Sequence, residues 1–152
     1  MYLQSESYDG GVHIVKSGPI VLVDDDADDR QLMELVCTSL NYTNKIISFE
    51  NGVLLLEFLR ITSEKPFLIL CDINMPFING LEVRRKIDED EFLRKKSIPF
   101  VFFSTNAVQR EVEEAYQLTV QGFFEKGNNL REMTDRLRLI LDYWAVCKHP
   151  NS

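Results

Sequence analysis

Five short apolar runs rich in Val, Ile and Phe punctuate the chain at residues 20–23, 45–49, 67–71, 99–103 and 122–124. Each is short enough for a strand, and each is followed by a segment with helical spacing. Leu32, Val36 and Leu40 recur every four residues and share one face. Val53, Leu56, Phe58 and Leu59 mark a second helix, Leu81, Val83 and Ile87 a third, and Val112, Ala115 and Tyr116 a fourth. The last is the longest: Leu130, Met133, Leu137, Ile140, Leu141 and Trp144 run in steps of three and four, with Asn128 or Asn129 placed to cap its start. A period that switches from strand to helix five times leaves few folds. It predicts an α/β chain of (βα)5 type, a doubly wound, mainly parallel sheet with helices on both faces. Residues 88–97, DEDEFLRKKS, read as a charged connection, a solvated helix end and loop.

A chain of 152 residues buries roughly 68–70% of its unfolded surface, enough for one core. The expected division is a flexible, glycine-punctuated tail over 1–18, one domain over 19–147, and a short tail over 148–152. Val12, Ile14 and Val15 could add a little edge packing, and His13 and His149 are expected to be solvent-exposed tail residues. With 17 Lys and Arg against 24 Asp and Glu, the net charge of -7 offers no basic stripe for nucleic acid and no attraction to an anionic membrane. Cys37, Cys71 and Cys147 lack ligand spacing, so neither a zinc site nor a disulfide framework is expected. The start has no signal-peptide pattern, and no run approaches the roughly 20 apolar residues of a membrane helix. A cytoplasmic location is the expectation.

In an open parallel sheet, ligands sit beyond the carboxyl ends of the strands. After the first strand come Asp24, Asp25 and Asp26, then Asp28 and Asp29: five acids in six positions. The third strand ends at Asp72, the fourth is followed by Ser104, Thr105 and Asn106, and the fifth by Lys126. Adjacent carboxylates raise one another's pKa unless a cation neutralises them, and hard oxygen ligands suit Mg²⁺ or Mn²⁺. A metal-bound Asp with a free oxygen can attack phosphorus, and a nearby hydroxyl and ammonium can hold the phosphoryl oxygens. Each feature also has a plain alternative. An acidic run after a strand can simply open a helix, as Asp28 and Asp29 are expected to do; Asp72 can be a turn residue, Ser104 a cap and Lys126 a surface lysine. Their joint appearance at four strand ends favours phosphoryl chemistry.

These residues resemble a response-regulator receiver domain, the phosphoacceptor module of two-component signalling. The matching segments are IVLVDDD at 20–26, LCDINMP at 70–76 with Gly80, VFFS at 101–104 and GFFEK at 122–126. The resemblance spans 19–146 and implies a flavodoxin-like (βα)5 fold with strand order 2-1-3-4-5. By position, it implies that Asp24 and Asp25 are the acidic metal-binding pair, Asp72 the phosphorylated residue, and the Asn74 backbone carbonyl a further metal ligand. Ser104 takes the place of the switch hydroxyl, Lys126 that of the phosphate-pairing lysine, and Phe123 that of the alternating aromatic. Thr105 adjoins Ser104 but points to the opposite side of the strand, and Asn74 and Asn106 flank the site where they would tune the phosphoryl lifetime. Gly127 stands where the family usually has proline, and Gly80 is expected to let the chain turn sharply after the acceptor.

Only 26 residues follow Lys126, so a stand-alone regulator of the chemotaxis or phytochrome-linked type is expected, a signalling switch and not a metabolic enzyme. Its phosphate would come from a sensor histidine kinase or a histidine phosphotransfer protein. Its output would be the face made by the helix around Tyr116, the strand bearing Phe123 and the last helix. The apolar end of that helix, residues 139–146, suggests a downstream protein or a homodimer contact there. Three rivals compete. A metal-dependent phosphohydrolase would normally need an acid at position 74, which is Asn. A flavodoxin-like electron carrier would offer hydroxyls and N–H groups in its first loop, not carboxylates. A degenerate receiver would act as a phosphorylation-independent scaffold.

Overall fold

The computed structural model describes residues 17–150. Val12, His13, Ile14 and Val15 of the expected N-terminal tail lie outside the described residues, as do Asn151 and Ser152. The elements alternate as read: β1 (Ile20–Val23), α1 (Ala27–Ser39), β2 (Ile46–Phe49), α2 (Gly52–Ile61), β3 (Leu68–Cys71), α3 (Gly80–Asp88), α4 (Glu91–Lys96), β4 (Phe100–Ser104), α5 (Gln109–Gln117), β5 (Gly122–Glu125) and α6 (Leu130–Val146). The five strands form one parallel sheet in the order β2-β1-β3-β4-β5, the doubly wound, flavodoxin-like arrangement that the resemblance implies.

Strands β1, β3 and β4 are buried along their whole length, whereas the edges β2 and β5 are partly exposed. A central parallel strand is covered on both faces, which is why these three read as continuous apolar runs. Alternate side chains serve separate cores. Ile20, Leu22, Leu68, Leu70, Val101 and Phe103 meet α1 and α6 through Met33, Val36, Leu137 and Ile140. Val21, Val23, Ile69, Cys71, Phe100 and Phe102 meet the layer of α2 to α5 through Leu55, Leu59, Val83, Ile87 and Ala115.

Two expectations are corrected. The charged stretch after Asp88 is not a solvated loop. Asp90 accepts a hydrogen bond from Leu93 N–H (3.2 Å) and opens a short helix, α4, whose Leu93 and Lys96 are buried. Lys96 runs its stem inward and donates Nζ to the carbonyls of Leu59 (2.9 Å) and Thr62 (2.6 Å) at the end of α2. Those carbonyls carry the negative end of the helix dipole and lack partners within the helix. Burial, with the nearby charge of Lys65, pulls the Lys96 ammonium below its ordinary pKa.

His149 is the second correction. It is buried at 4% exposure, stacks on Phe67 with ring centroids 5.4 Å apart, meets the edge of Trp144 at 6.1 Å, and places Nε2 2.7 Å from the Phe67 carbonyl oxygen. The chain after α6 therefore folds back under the sheet. Phe67 also stacks on Tyr42, whose hydroxyl donates to Asp142 of α6 at 2.6 Å.

Lys96→Ala removes two charge-assisted hydrogen bonds and a packed stem, and should cost about 2 kcal/mol. The urea midpoint reads this. An unchanged midpoint would show that solvent satisfies the α2 carbonyls equally well.

Candidate functional site

The register carries the strand-end residues to one rim. Val23 pairs with Cys71, and Cys71 with Phe102, so the residues next in the chain emerge side by side. Their backbones continue the ladder: Asp24 N–H donates to Phe49 O (3.1 Å), Asp72 N–H to Val23 O (2.9 Å), and Lys126 N–H to Ser104 O (2.9 Å). Ser104 and Glu125, read from sequence as lying beyond their strands or outside the site, are the last residues of β4 and β5.

Asp24, Asp72, Ser104 and Lys126 are all buried, while Asp25 is exposed. Asp72 Oδ1 accepts from Ser104 Oγ (2.5 Å) and from Ile73 N–H (2.7 Å). Its Oδ2 lies 3.7 Å from Lys126 Nζ. That ammonium is bonded more closely to Asp24 Oδ2 (2.5 Å) and Asp29 Oδ2 (2.7 Å). Asp29 had been read as serving only the helix start; here it also helps to hold the lysine.

Charge and burial oppose each other at this site. Burial raises the Asp24 carboxyl to about 6, and the nearby charge of Asp72 adds to the rise, against the bonds from Lys126 and from Asp26 N–H. At Lys126 burial acts to lower the pKa, but the bonds from Asp24 and Asp29 and the charges of Asp24 and Asp72 outweigh it. The ammonium is held above the usual lysine range. One cation thus serves several carboxylates. Oxygens of Asp24, Asp25 and Asp72 approach within 4.8 Å of one another. A cluster of hard oxygens with one exposed member and excess negative charge fits a divalent cation such as Mg²⁺ or Mn²⁺. The rest of the acidic run caps α1: Asp26 accepts from the N–H groups of Asp28 (2.9 Å) and Asp29 (3.2 Å).

Two glycines shape the rim for different reasons. A Cβ at Gly80 would sit 2.2 Å from the Asp72 carbonyl oxygen, so the glycine lets α3 start against the backbone of Asp72. The sharp turn expected of it is made by Phe77, whose backbone is left-handed (φ 71°) and whose side chain is largely exposed. Asn79 then closes a capping box with Glu82. Gly127 has φ +93°, and a Cβ there would lie 2.6 Å from Glu132 Cβ. Its loop is tied down without proline: Glu132 accepts from Asn128 N–H (2.8 Å), Asn129 caps α6, and Arg136 donates to Glu125 O (2.9 Å).

The remaining expected residues lie around this centre. Asn74 is exposed two residues beyond Asp72, and Thr105 and Asn106 are exposed at the start of the next loop, Asn106 with φ 51°. Glu125 accepts from Ala107 N–H in that loop (3.1 Å). Phe123 is half-buried, its ring 5.6 Å from that of Phe102.

Residues 20–138 match the family model described as the response regulator receiver domain. Response regulator Rcp1 of Synechocystis sp. is 28% identical over 130 residues, covering 82% of this chain and 87% of Rcp1. Chemotaxis protein CheY1 of Helicobacter pylori is 28% identical over 122 residues, covering 80% of this chain and 95% of CheY1. Among solved structures, the Mn²⁺-bound form of Rcp1 superimposes with a TM-score of 0.79 at 27% identity, over 88% of this chain and 99% of that one. The phosphorylated cyanobacterial phytochrome response regulator RcpA gives 0.77 at 25% identity, over 86% and 96%.

Proline cannot adopt the Gly127 backbone, because its ring fixes φ near −65°. Gly127→Pro should therefore lose roughly 1–3 kcal/mol. A thermal denaturation midpoint equal to that of the original protein would show that the loop rearranges freely.

Proposed function

The chain belongs to the response regulator receiver domain family, and from that premise we propose that it accepts a phosphoryl group on Asp72 from the phosphohistidine of a sensor kinase or phosphotransfer protein. The observation that carries this reading is the asymmetry of Asp72. Oδ1 is engaged by Ser104 and Ile73, whereas Oδ2 accepts no hydrogen bond among the described residues and lies 3.7 Å from Lys126 Nζ. Oδ2 is thus the nucleophile: its bond to phosphorus forms as the P–N bond breaks, and the electron pair leaves with the imidazole. When bound by Asp24, Asp25, Asp72 and the Asn74 backbone carbonyl, Mg²⁺ or Mn²⁺ supplies positive charge to the oxygens around phosphorus.

Lys126 is positioned to hold a phosphoryl oxygen, and Asp29 shares the task of aiming it. Ser104 exchanges its bond to Asp72 Oδ1 for a phosphoryl oxygen, and the space it vacates draws Phe123 toward Phe102. Phe123 has no hydroxyl, so this coupling rests on packing. Thr105, Asn106 and Asn74 face solvent around the acceptor, where they govern the access of hydrolytic water. The manganese-bound Rcp1 and phosphorylated RcpA structures support the metal and phosphoryl parts of this reading.

Output passes through the surface made by α5, β5 and α6. Tyr116, Leu139 and Tyr143 are more than half exposed there, which suits a downstream protein or a second copy of the chain. Among the described residues no helix is long and apolar enough to cross a membrane. The near end-to-end match with Rcp1 and CheY1 supports a regulator of the single-domain kind.

Incubation with Mg²⁺ and a small acyl phosphate should add one phosphoryl group by intact mass, and none to Asp72→Asn. Addition to that variant would falsify the assignment of the acceptor. Asp25→Asn should retain the fold and weaken Mn²⁺ binding at least roughly tenfold by titration calorimetry; undiminished affinity would remove Asp25 from the metal site.

A further inference from the structure

The most costly arrangement outside the rim lies where α3 meets the end of α5. Arg84 of α3 is 1% exposed, yet among the described residues it pairs with no carboxylate closer than Asp88, at 4.0 Å. Its guanidinium instead donates Nε to Leu118 O (2.9 Å) and Nη2 to Thr119 O (3.3 Å) and Thr119 Oγ1 (3.2 Å). These carbonyls belong to the C-cap of α5 and the residue after it, so the buried cation sits beside the negative end of that helix. Its Nη1 has no hydrogen-bond partner among the described residues. Thr119 itself is left-handed (φ 61°), a conformation that a β-branched side chain adopts only under constraint from its surroundings. The Thr119 hydroxyl is held by Asp88 as well (3.2 Å).

A helix end that needed only a cap would not require an unpaired buried nitrogen and a strained threonine together. A line of rings runs from this point to Phe123 on β5. The Arg84 guanidinium lies over Phe100, 5.2 Å from its centre. Phe100 meets Phe102 edge-on at 5.3 Å, and Phe102 meets Phe123 at 5.6 Å.

We propose that Arg84 is a positioning residue for the phosphoryl switch: it latches the C-terminal end of α5 in the resting position, and the rings from Phe100 to Phe123 set that latch against the state of Asp72. This rests on the proposed function, since the latch matters only if Asp72 is phosphorylated. Coupling between two sites is reciprocal. If phosphorylation loosens the latch, then loosening the latch promotes phosphorylation.

Arg84→Met preserves length and apolar bulk but removes the cation; Arg84→Lys restores the charge with a different donor geometry. The protein lacking phosphate is read first, by NMR-detected exchange of the amides of Leu118, Thr119 and Val120. In Arg84→Met these should exchange about tenfold faster while those of α6 do not change. The initial rate of phosphorylation by a small acyl phosphate should rise roughly threefold or more, with Arg84→Lys between the two. A residue serving stability alone would leave that rate unchanged or lower it. Unchanged exchange overturns the latch; faster exchange with an unchanged or lower rate overturns its coupling to Asp72. If the original protein takes up no phosphoryl group, the proposed function and the coupling both fall, and the exchange data decide the latch separately. Should Arg84→Met not fold, Arg84→Lys is read against the original protein by the same two measurements.

Discussion

The parallel ladder through β1, β3, β4 and β5 is the constraint from which the site follows. Each central strand is buried on both faces, so a slip by one residue would exchange the two cores. With the register pinned, the first polar residue past each strand has one place to go. Asp24 and Asp72 emerge as neighbours with amides still bonded to the sheet, and Ser104 and Lys126 join them from the next strands. No long-range instruction beyond strand pairing is needed to bring together residues about a hundred positions apart.

What this placement creates is a centre with too few cations for its carboxylates. Lys126 is the buried positive charge among Asp24, Asp29 and Asp72, with Asp25 open to solvent. The lysine stays charged because its partners outweigh its burial, while Asp24 remains costly to ionise because they do not. Such a centre is poised to gain from an added divalent cation. The same excess disfavours a bare phosphate, which distinguishes this rim from strand ends that bind phosphate through N–H groups alone.

Most of this was legible in one dimension because the signals were periodic or positional. Apolar runs gave the strands, steps of three and four gave the long helices, and strand ends gave Asp24, Asp72, Ser104 and Lys126. What escaped depended on contacts without a local signature. The helix α4 hides in a charged run because its inward face consists of little more than Leu93 and the stem of Lys96. The bond from Lys126 to Asp29 joins residues far apart in the chain, and an acid at a helix start already has a sufficient local explanation. His149 looked like tail because polarity near a terminus usually means exposure, whereas its ring is stacked on Phe67. At Gly80 the residue was right and the reason was not: it allows close approach, and the bulky Phe77 makes the turn.

Arg84 and Lys96 share a habit that bears on how such a molecule diversifies. Each buries a positive charge and donates to main-chain carbonyls at the end of another helix, Arg84 adding one bond to the Thr119 hydroxyl. Carbonyls are present whatever the side chain, so these ties place little demand on residue identity at the positions they grip. The layer from α2 to α5 is therefore braced from within, and its outward side chains are released from holding it together. The frame of that layer thus rests in part on the main chain itself, whichever side chains face outward.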